Sequence, residues 1–292
     1  MTAVLVDDLP RALAEPRLRR STDPMVRRLG LGRLRTVDLD ELVERAALME
    51  RTDRKYVVPV STARSLVQEI SDTHRVLKID GRRYTSYESL YFDTVDLRSV
   101  QAHIQRRRRR WKVRSRLYVE DGLCRIEVKT KDNTGATVKV MGTSDPSRFG
   151  TLAGDDREFV EAHLAGYADA DVSALVPAAE VDYSRSTLAD LDAGTRVTID
   201  WNLATRTHMG TAWLDPGHVL VETKGPATSS RADRVLGELG VRPQRFSKYV
   251  AAASTTTPRV PDNDFRRLIG RGVLHARSGA QAPQLMGVPS SR

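Results

Sequence analysis

Charged and apolar residues alternate with a period of two in segment after segment of this chain, the spacing of strands that bury one face. In 112–119, Lys112, Arg114 and Arg116 share a face opposite Val113 and Ser115. In 123–131, Arg125, Glu127, Lys129 and Lys131 oppose Cys124, Ile126, Val128 and Thr130. Arg196, Thr198 and Asp200 oppose Val197 and Ile199; Leu220, Glu222 and Lys224 oppose Val219, Val221 and Thr223; Arg51, Asp53 and Lys55 form a fifth such face. Further strand-like runs lie at 75–79, 89–94, 137–141, 178–188 and 211–215. Asp121-Gly122 is a hairpin turn signal between two strands. Helical spacing predicts helices over 38–49 (Leu39, Leu42, Val43 and Ala46 on one face), 62–74 with Ser61 as cap, 155–167 and 231–239.

Strands dominate, with a few helices, so the pattern predicts an α+β fold. Eight or more antiparallel strands in one domain favour a closed or nearly closed barrel, because closure removes exposed edges. Residues 1–48, rich in Arg and Leu with a few prolines, read as a partly helical N-terminal extension. Residues 49–253 form the strand-rich domain. From 254 to 292 the composition shifts to Thr, Pro, Gly, Ser and Arg without a sustained period, which predicts a largely disordered tail.

Composition narrows the chemistry. With 292 residues the chain can bury a full core. Its single cysteine, Cys124, alternates with the charged face and reads as core; it excludes an intrachain disulfide and a cysteine-ligated metal cluster. No apolar run is long enough to span a membrane as a helix, and the first residues lack the apolar stretch of a secretory signal, so the expected location is cytoplasmic. The net charge of +9 is not spread evenly. Residues 101–131 carry 11 basic and 3 acidic side chains, whereas the rest of the chain is close to neutral.

Alternating strands usually mean only that charges face water. Here the charged faces are mostly Arg and Lys with single carboxylates, and the pattern recurs in five strands. Stacked cations repel unless an anion lies between them. A barrel lined this way is an anion tunnel: guanidinium and ammonium groups suit phosphate oxygens, and a few carboxylates suit a bridging divalent cation. No phosphate-binding glycine loop, no zinc-type histidine spacing and no serine-hydrolase elbow accompanies it.

The residues that carry this pattern fall into ordered motifs. They are R-x-D-x-K-Y at Arg51–Tyr56, S-L-Y-F-D-T at Ser89–Thr94, K-x-R-x-R-x-Y at Lys112–Tyr118 and E-V-K-T-K at Glu127–Lys131. Y-S-R at Tyr183–Arg185, R-V-T-I-D at Arg196–Asp200, V-E-T-K at Val221–Lys224 and F-S-K-Y at Phe246–Tyr249 follow. In this order, over about residues 50–252, the chain resembles the VTC domain, the polyphosphate polymerase domain of the triphosphate tunnel metalloenzyme superfamily.

The resemblance implies an eight-stranded antiparallel tunnel barrel with flanking helices. It implies transfer of the terminal phosphate of ATP to inorganic polyphosphate with a divalent metal, manganese or magnesium. Carried over by motif, Lys55, Arg114, Arg116, Lys129, Arg185, Arg196 and Lys248 are implied to hold the reacting phosphates. Lys112, Lys131, Lys139, Tyr183 and Lys224 are implied substrate contacts, and Glu222, helped by Glu127, the implied metal ligands. The related hydrolases open with E-x-E-x-K; Arg51 and Asp53 stand there instead, which fits the polymerase branch better. The eukaryotic complex has an SPX domain and membrane spans that this chain lacks. If product crosses a membrane, a separate partner must carry it, and that partner would bring this chain to the membrane's inner face.

Two other readings stay open: a tripolyphosphate or nucleoside triphosphate hydrolase, and a polyphosphate-binding module without turnover. A nucleic-acid binder ranks lower, because the basic strands are not interleaved with exposed aromatics. The run Arg106–Arg110 either flanks the tunnel entrance, touches anionic lipid, or is a solvated loop.

Overall fold

A computed structural model describes residues 23–45, 52–134, 136–167 and 171–279. Helix α1 (Pro24–Arg28), strand β1 (Thr36–Val37) and helix α2 (Leu39–Arg45) precede β2 (Thr52–Pro59). Helix α3 (Val60–Glu69) and β3 (Arg75–Leu77) lead to β4 (Thr85–Asp93), α4 (Arg98–Ile104) and β5 (Arg110–Tyr118). Then come β6 (Leu123–Lys131), β7 (Thr137–Ser144), α5 (Asp155–Leu164) and the long strands β8 (Val176–Asp190) and β9 (Thr195–Thr207). The chain ends with β10 (Gly210–Leu214), β11 (His218–Gly225), α6 (Arg231–Glu238), α7 (Lys248–Thr256), α8 (Arg266–Gly270) and β12 (Leu274–Ser278).

Eight antiparallel strands stand side by side in the order β7-β6-β5-β4-β8-β9-β11-β2. β10 and β12 extend the wall from the far end of β9, and β3, with β1, attaches to β8. This is the tunnel-type antiparallel wall with flanking helices that the alternation predicts. The wall keeps one seam: among the described residues no ladder joins β2 to β7. The cause is local. The amide of Gln244 donates to the carbonyl of Lys55 at 2.8 Å, so the lead-in to α7 lies along the edge of β2 where β7 would have to pair.

The two faces of the wall bury different chemistry. On the outside, α1, α3 and α6 pack Leu29, Leu66 and Leu236 against Val197, Ile199, Trp201 and Val221. Helix α5 covers the other outer flank, with Val160 and Leu164 against Phe92, Val113, Ile126 and Val128. A fully buried side chain of this size contributes about 1.5–3 kcal/mol, so these two layers fix which strand face points inward. The inner face is divided along its length. At one end Tyr91, Val181, Leu203 and Leu220 pack on α7 through Phe246, Tyr249 and Val250, with Phe265 and Leu268 behind them. Beyond that apolar stopper the inner face is charged.

Residues 23–34 and 258–278 are more ordered than their composition predicts. Asp23 caps α1 through the amide of Met25 at 2.7 Å and accepts the indole N–H of Trp201 at 3.0 Å. Leu29 and Leu31 are fully buried, so residues 23–34 belong to the outer core. In α2 only Leu42 is buried; Leu39 and Val43 are exposed, and Ala46 lies outside the described residues. Residues 258–278, read as disordered tail, instead form α8 and β12. β12 takes its hydrogen bonds from β10 and therefore needs no apolar alternation of its own. Residues 280–292 lie outside the described residues. Among the described residues no helix is long and apolar enough to cross a membrane.

Candidate functional site

The pleat delivers the cations. Because β5, β6 and β7 run in register, Lys112 lies opposite Lys129, and Lys129 opposite Lys139, a row of three lysines across three strands. One step along, Arg114 lies opposite Glu127, and one further, Arg116 opposite Arg125. On the facing wall Lys55 lies opposite Glu222, and Lys224 stands between Asp53 and Arg196. Like charges in register destabilise a sheet unless something lies between them.

Lys112 shows how the walls meet. Its Nζ donates to Oγ of Ser247, at the head of α7, at 2.9 Å. Burial, with Lys129, Lys55 and Arg114 nearby, pushes it well below the ordinary lysine range. Lys55 sits on β2 and Lys112 on β5, so the repulsion acts across the channel rather than along one strand.

Four carboxylates organise the lining. Glu127, 2% exposed, accepts Nε and Nη2 of Arg114 and Nζ of Lys139 (3.1 Å) on Oε2, with Nη1 of Arg116 3.7 Å from Oε1. Burial raises its pKa, but these cations win and hold it well below the usual carboxylate range. Asp200 takes both prongs of Arg185, at 2.6 and 2.8 Å, and Nζ of Lys248 at 2.5 Å. Glu222 sits between Lys55, at 3.5 Å, and Lys224. Asp53 lies opposite Lys224. Burial outweighs these partners at two lysines: Lys139 and Lys224 are each brought down to about 8.

Aromatic rings let the buried cations stand close together. Tyr87 and Tyr183 stack with centroids 5.1 Å apart. Arg116 and Arg185 lie over both rings, and Nζ of Lys248 is 4.3 Å from the Tyr183 centroid. Each such contact adds about 0.5–2 kcal/mol. The Tyr183 hydroxyl is buried without a hydrogen-bond partner among the described residues. Burial raises its pKa, yet Arg116, Arg185 and Lys248 together hold it below the ordinary phenol value.

The predicted residues thus gather in groups. Arg116, Arg185, Lys248 and Tyr183 form one, Lys55, Lys224 and Glu222 a second, and Arg114, Glu127 and Lys139 a third. Lys112 and Lys129 share the lysine row. Lys131 closes β6 opposite Arg110, at the end of the channel. Arg196 is turned toward the other end, where Nη2 donates to the carbonyl of Leu42 at 3.1 Å. Arg51 lies outside the described residues.

Motif reading did not single out Asp200, Ser247 or Tyr87 as site residues. Asp200 was readable, since it shares the alternating face of Arg196. Ser247 and Tyr87 carry no such mark. Asp93 proves to be an anchor: buried, it accepts the amides of Thr94, Ser99 and Val100 and the hydroxyl of Tyr249, and so ties α4 and α7 to β4. Cys124 is fully buried in the wall. Arg106 and Arg110 join Lys55, Ser247 and Arg245 around a cavity of about 600 Å³ beside the lead-in to α7.

The fit to a divalent metal depends on the carboxylates. Both lysines approach Oε1 of Glu222. Glu127, expected beside it as a ligand, is instead enclosed by Arg114, Arg116 and Lys139, an arrangement that repels a cation. No cluster of three or more His, Cys, Asp or Glu occurs among the described residues. The carboxylate oxygen buried without a hydrogen-bond partner among the described residues is Oε1 of Glu127, so these carboxylates suit at most a hard ion whose remaining ligands are water and substrate phosphate.

The VTC domain matches residues 50–257 of this chain. No curated protein matches it. Among solved structures, a candidate adenylyl cyclase from Hippeastrum, HpAC1, described as having a dominant triphosphatase activity, is 18% identical; the match covers 73% of this chain and 99% of that one, with a TM-score of 0.44. A candidate adenylate cyclase from Vibrio parahaemolyticus is 13% identical over 68% of this chain and 94% of that one, with a TM-score of 0.39.

Proposed function

The chain belongs to the VTC domain family, and on that premise we propose that it is a metal-dependent polyphosphate polymerase, which moves the terminal phosphate of ATP to the end of an inorganic polyphosphate chain inside the basic channel. The observation that carries this reading is the convergence of cations from six strands and the head of α7 onto one path, with four carboxylates among them in the described residues.

In the reaction, an oxygen of the acceptor's terminal phosphate bonds to the γ-phosphorus of ATP. The bond from that phosphorus to the bridging oxygen breaks, and ADP leaves. The attacking oxygen is already anionic, so no side chain need remove a proton. Phosphoryl transfer then depends on alignment and charge neutralisation. The lysine row takes one stretch of phosphates, and Arg116, Arg185 and Lys248 hold another. The orphan hydroxyl of Tyr183 donates to a phosphate oxygen. The N-terminus of α7, capped by Ser247, adds its dipole. Glu222 would hold a divalent metal, manganese or magnesium, which would supply positive charge against the phosphates.

The test is incubation of purified protein with ATP and manganese, with ADP, orthophosphate and polymer measured separately. ADP matched by long-chain polyphosphate is expected, and loss of it in Arg116→Ala and Glu222→Ala. Orthophosphate without polymer would overturn this reading in favour of hydrolysis. Tight polyphosphate binding without turnover would reduce the protein to a binding module.

A further inference from the structure

Four arginines, Arg27, Arg33, Arg64 and Arg83, line a cavity of about 900 Å³ on the outer wall, between the α1 segment and α3. Its volume falls in the range of small-ligand sites, about 300–1,000 Å³. Among the described residues the only carboxylate lining it is Asp23, and both its oxygens are engaged, by the amide of Met25 and the indole of Trp201. Arg27, Arg33 and Arg64 make no hydrogen bond or ion pair with any described residue. Arg83 is half-buried, and its Nε is buried with no acceptor.

In the channel Arg114 and Arg185 are each matched by a carboxylate. Here, among the described residues, no free carboxylate lines the cavity; Arg27, Arg33 and Arg64 reach it from the exposed surface, and Arg83 brings a buried Nε without a hydrogen-bond partner. An anion with several oxygens satisfies all of them at once. Arg83 stands two residues before Thr85, which lies opposite Arg185 in the β4–β8 ladder, so the cavity lies beside the start of β4, whose partner β8 carries one channel cation. The segment that completes it, residues 23–34, precedes the 50–257 span that matches the family.

We propose that this cavity is a second anion site, outside the channel, that binds a short phosphate chain through Arg27, Arg33, Arg64 and Arg83. That the chain is inorganic polyphosphate rests on the proposed function; the site itself does not. Phosphate held here stays tethered near the channel and raises the local concentration of acceptor.

The experiment is a calorimetric titration of the full chain with tripolyphosphate, without metal. Two classes of site are expected. Arg33→Glu with Arg64→Glu should weaken one class at least about tenfold, because each charge-assisted bond contributes about 1.5–3 kcal/mol. Arg33→Gln with Arg64→Gln should weaken it less, and both positions are exposed, so folding is spared. Arg116→Ala should weaken the other class. If the Arg33/Arg64 variants titrate like the parent, the proposal is overturned. If they lose a class while Arg116→Ala loses nothing, the second site stands and the channel reading fails. A phosphoinositide headgroup offers the same oxygens, so vesicles carrying that lipid form a second arm. Vesicle capture abolished by the Arg33/Arg64 changes, with tripolyphosphate titration unaltered, would overturn the free phosphate chain as ligand.

Discussion

Arg185 grips Asp200 with two parallel bonds, Nε to Oδ1 at 2.6 Å and Nη2 to Oδ2 at 2.8 Å, around a carboxylate that is wholly buried. Lys248 shares the second oxygen. Burial alone would raise the Asp200 pKa, but the two cations hold it below the usual carboxylate range. Removing the acid leaves both cations facing each other. Asp200→Ala should therefore lose about 3–5 kcal/mol in denaturant unfolding. Tripolyphosphate should restore more stability to this variant than it adds to the parent, because an anion in the channel replaces the missing charge. Equal stabilisation of both proteins would refute that placement.

Lys139 and Lys224 set the pH response. Their pKa values of about 8 lie below the usual lysine value of 10.5, so the folded protein sheds these protons first. Between about pH 8 and 10.5 the unfolded chain binds more protons, and these two groups make stability rise with pH across that window. Anion binding has the opposite sign. Phosphate favours the charged lysines, so tripolyphosphate should bind with proton uptake near pH 8, with little uptake at pH 6, and weaken above pH 9. Titrations in buffers of different ionisation enthalpy measure the uptake directly; its absence at pH 8 would rule out these lysines as contacts.

Tyr183 separates binding from folding. Its hydroxyl has no hydrogen-bond partner among the described residues, so Tyr183→Phe should change stability by less than about 1 kcal/mol. The same change should raise KM for polyphosphate several-fold. An unchanged KM would show that the hydroxyl meets no phosphate.

Asp93 and Tyr249 hold α7 in position. Asp93→Ala strands three buried amides and a hydroxyl, and should cost about 3 kcal/mol or more, against about 1 kcal/mol for Tyr249→Phe. Both changes loosen the helix that presents Ser247 and Lys248, so KM should rise along with the loss in melting temperature. A melting loss with no change in KM would make the anchor structural only.

Much of the channel was legible because strand geometry allows few choices. Once Lys112, Arg114 and Arg116 alternate with buried neighbours, only one face can take them, and β6 follows the predicted 123–131 span. What stayed hidden has physical reasons. Helix α7 is buried on nearly every side, so its run of Ala, Ser and Thr shows no apolar stripe. Helix α4 depends on Asp93, several residues upstream, to satisfy its first amides. β12 and residues 23–34 gain their order from distant partners, which no local pattern records. The role of Glu127 as the anchor of three cations depends on Lys139 reaching it from the next strand.

The unpaired seam between β2 and β7 changes what such a channel can do with a long product. A fully closed pipe stoppered by α7 would oblige the polymer to back out through a single mouth. The seam is covered by the lead-in to α7, held to β2 through Gln244 and Lys55, so on the proposed function a sideways exit would need only that segment to lift, not a strand ladder to break.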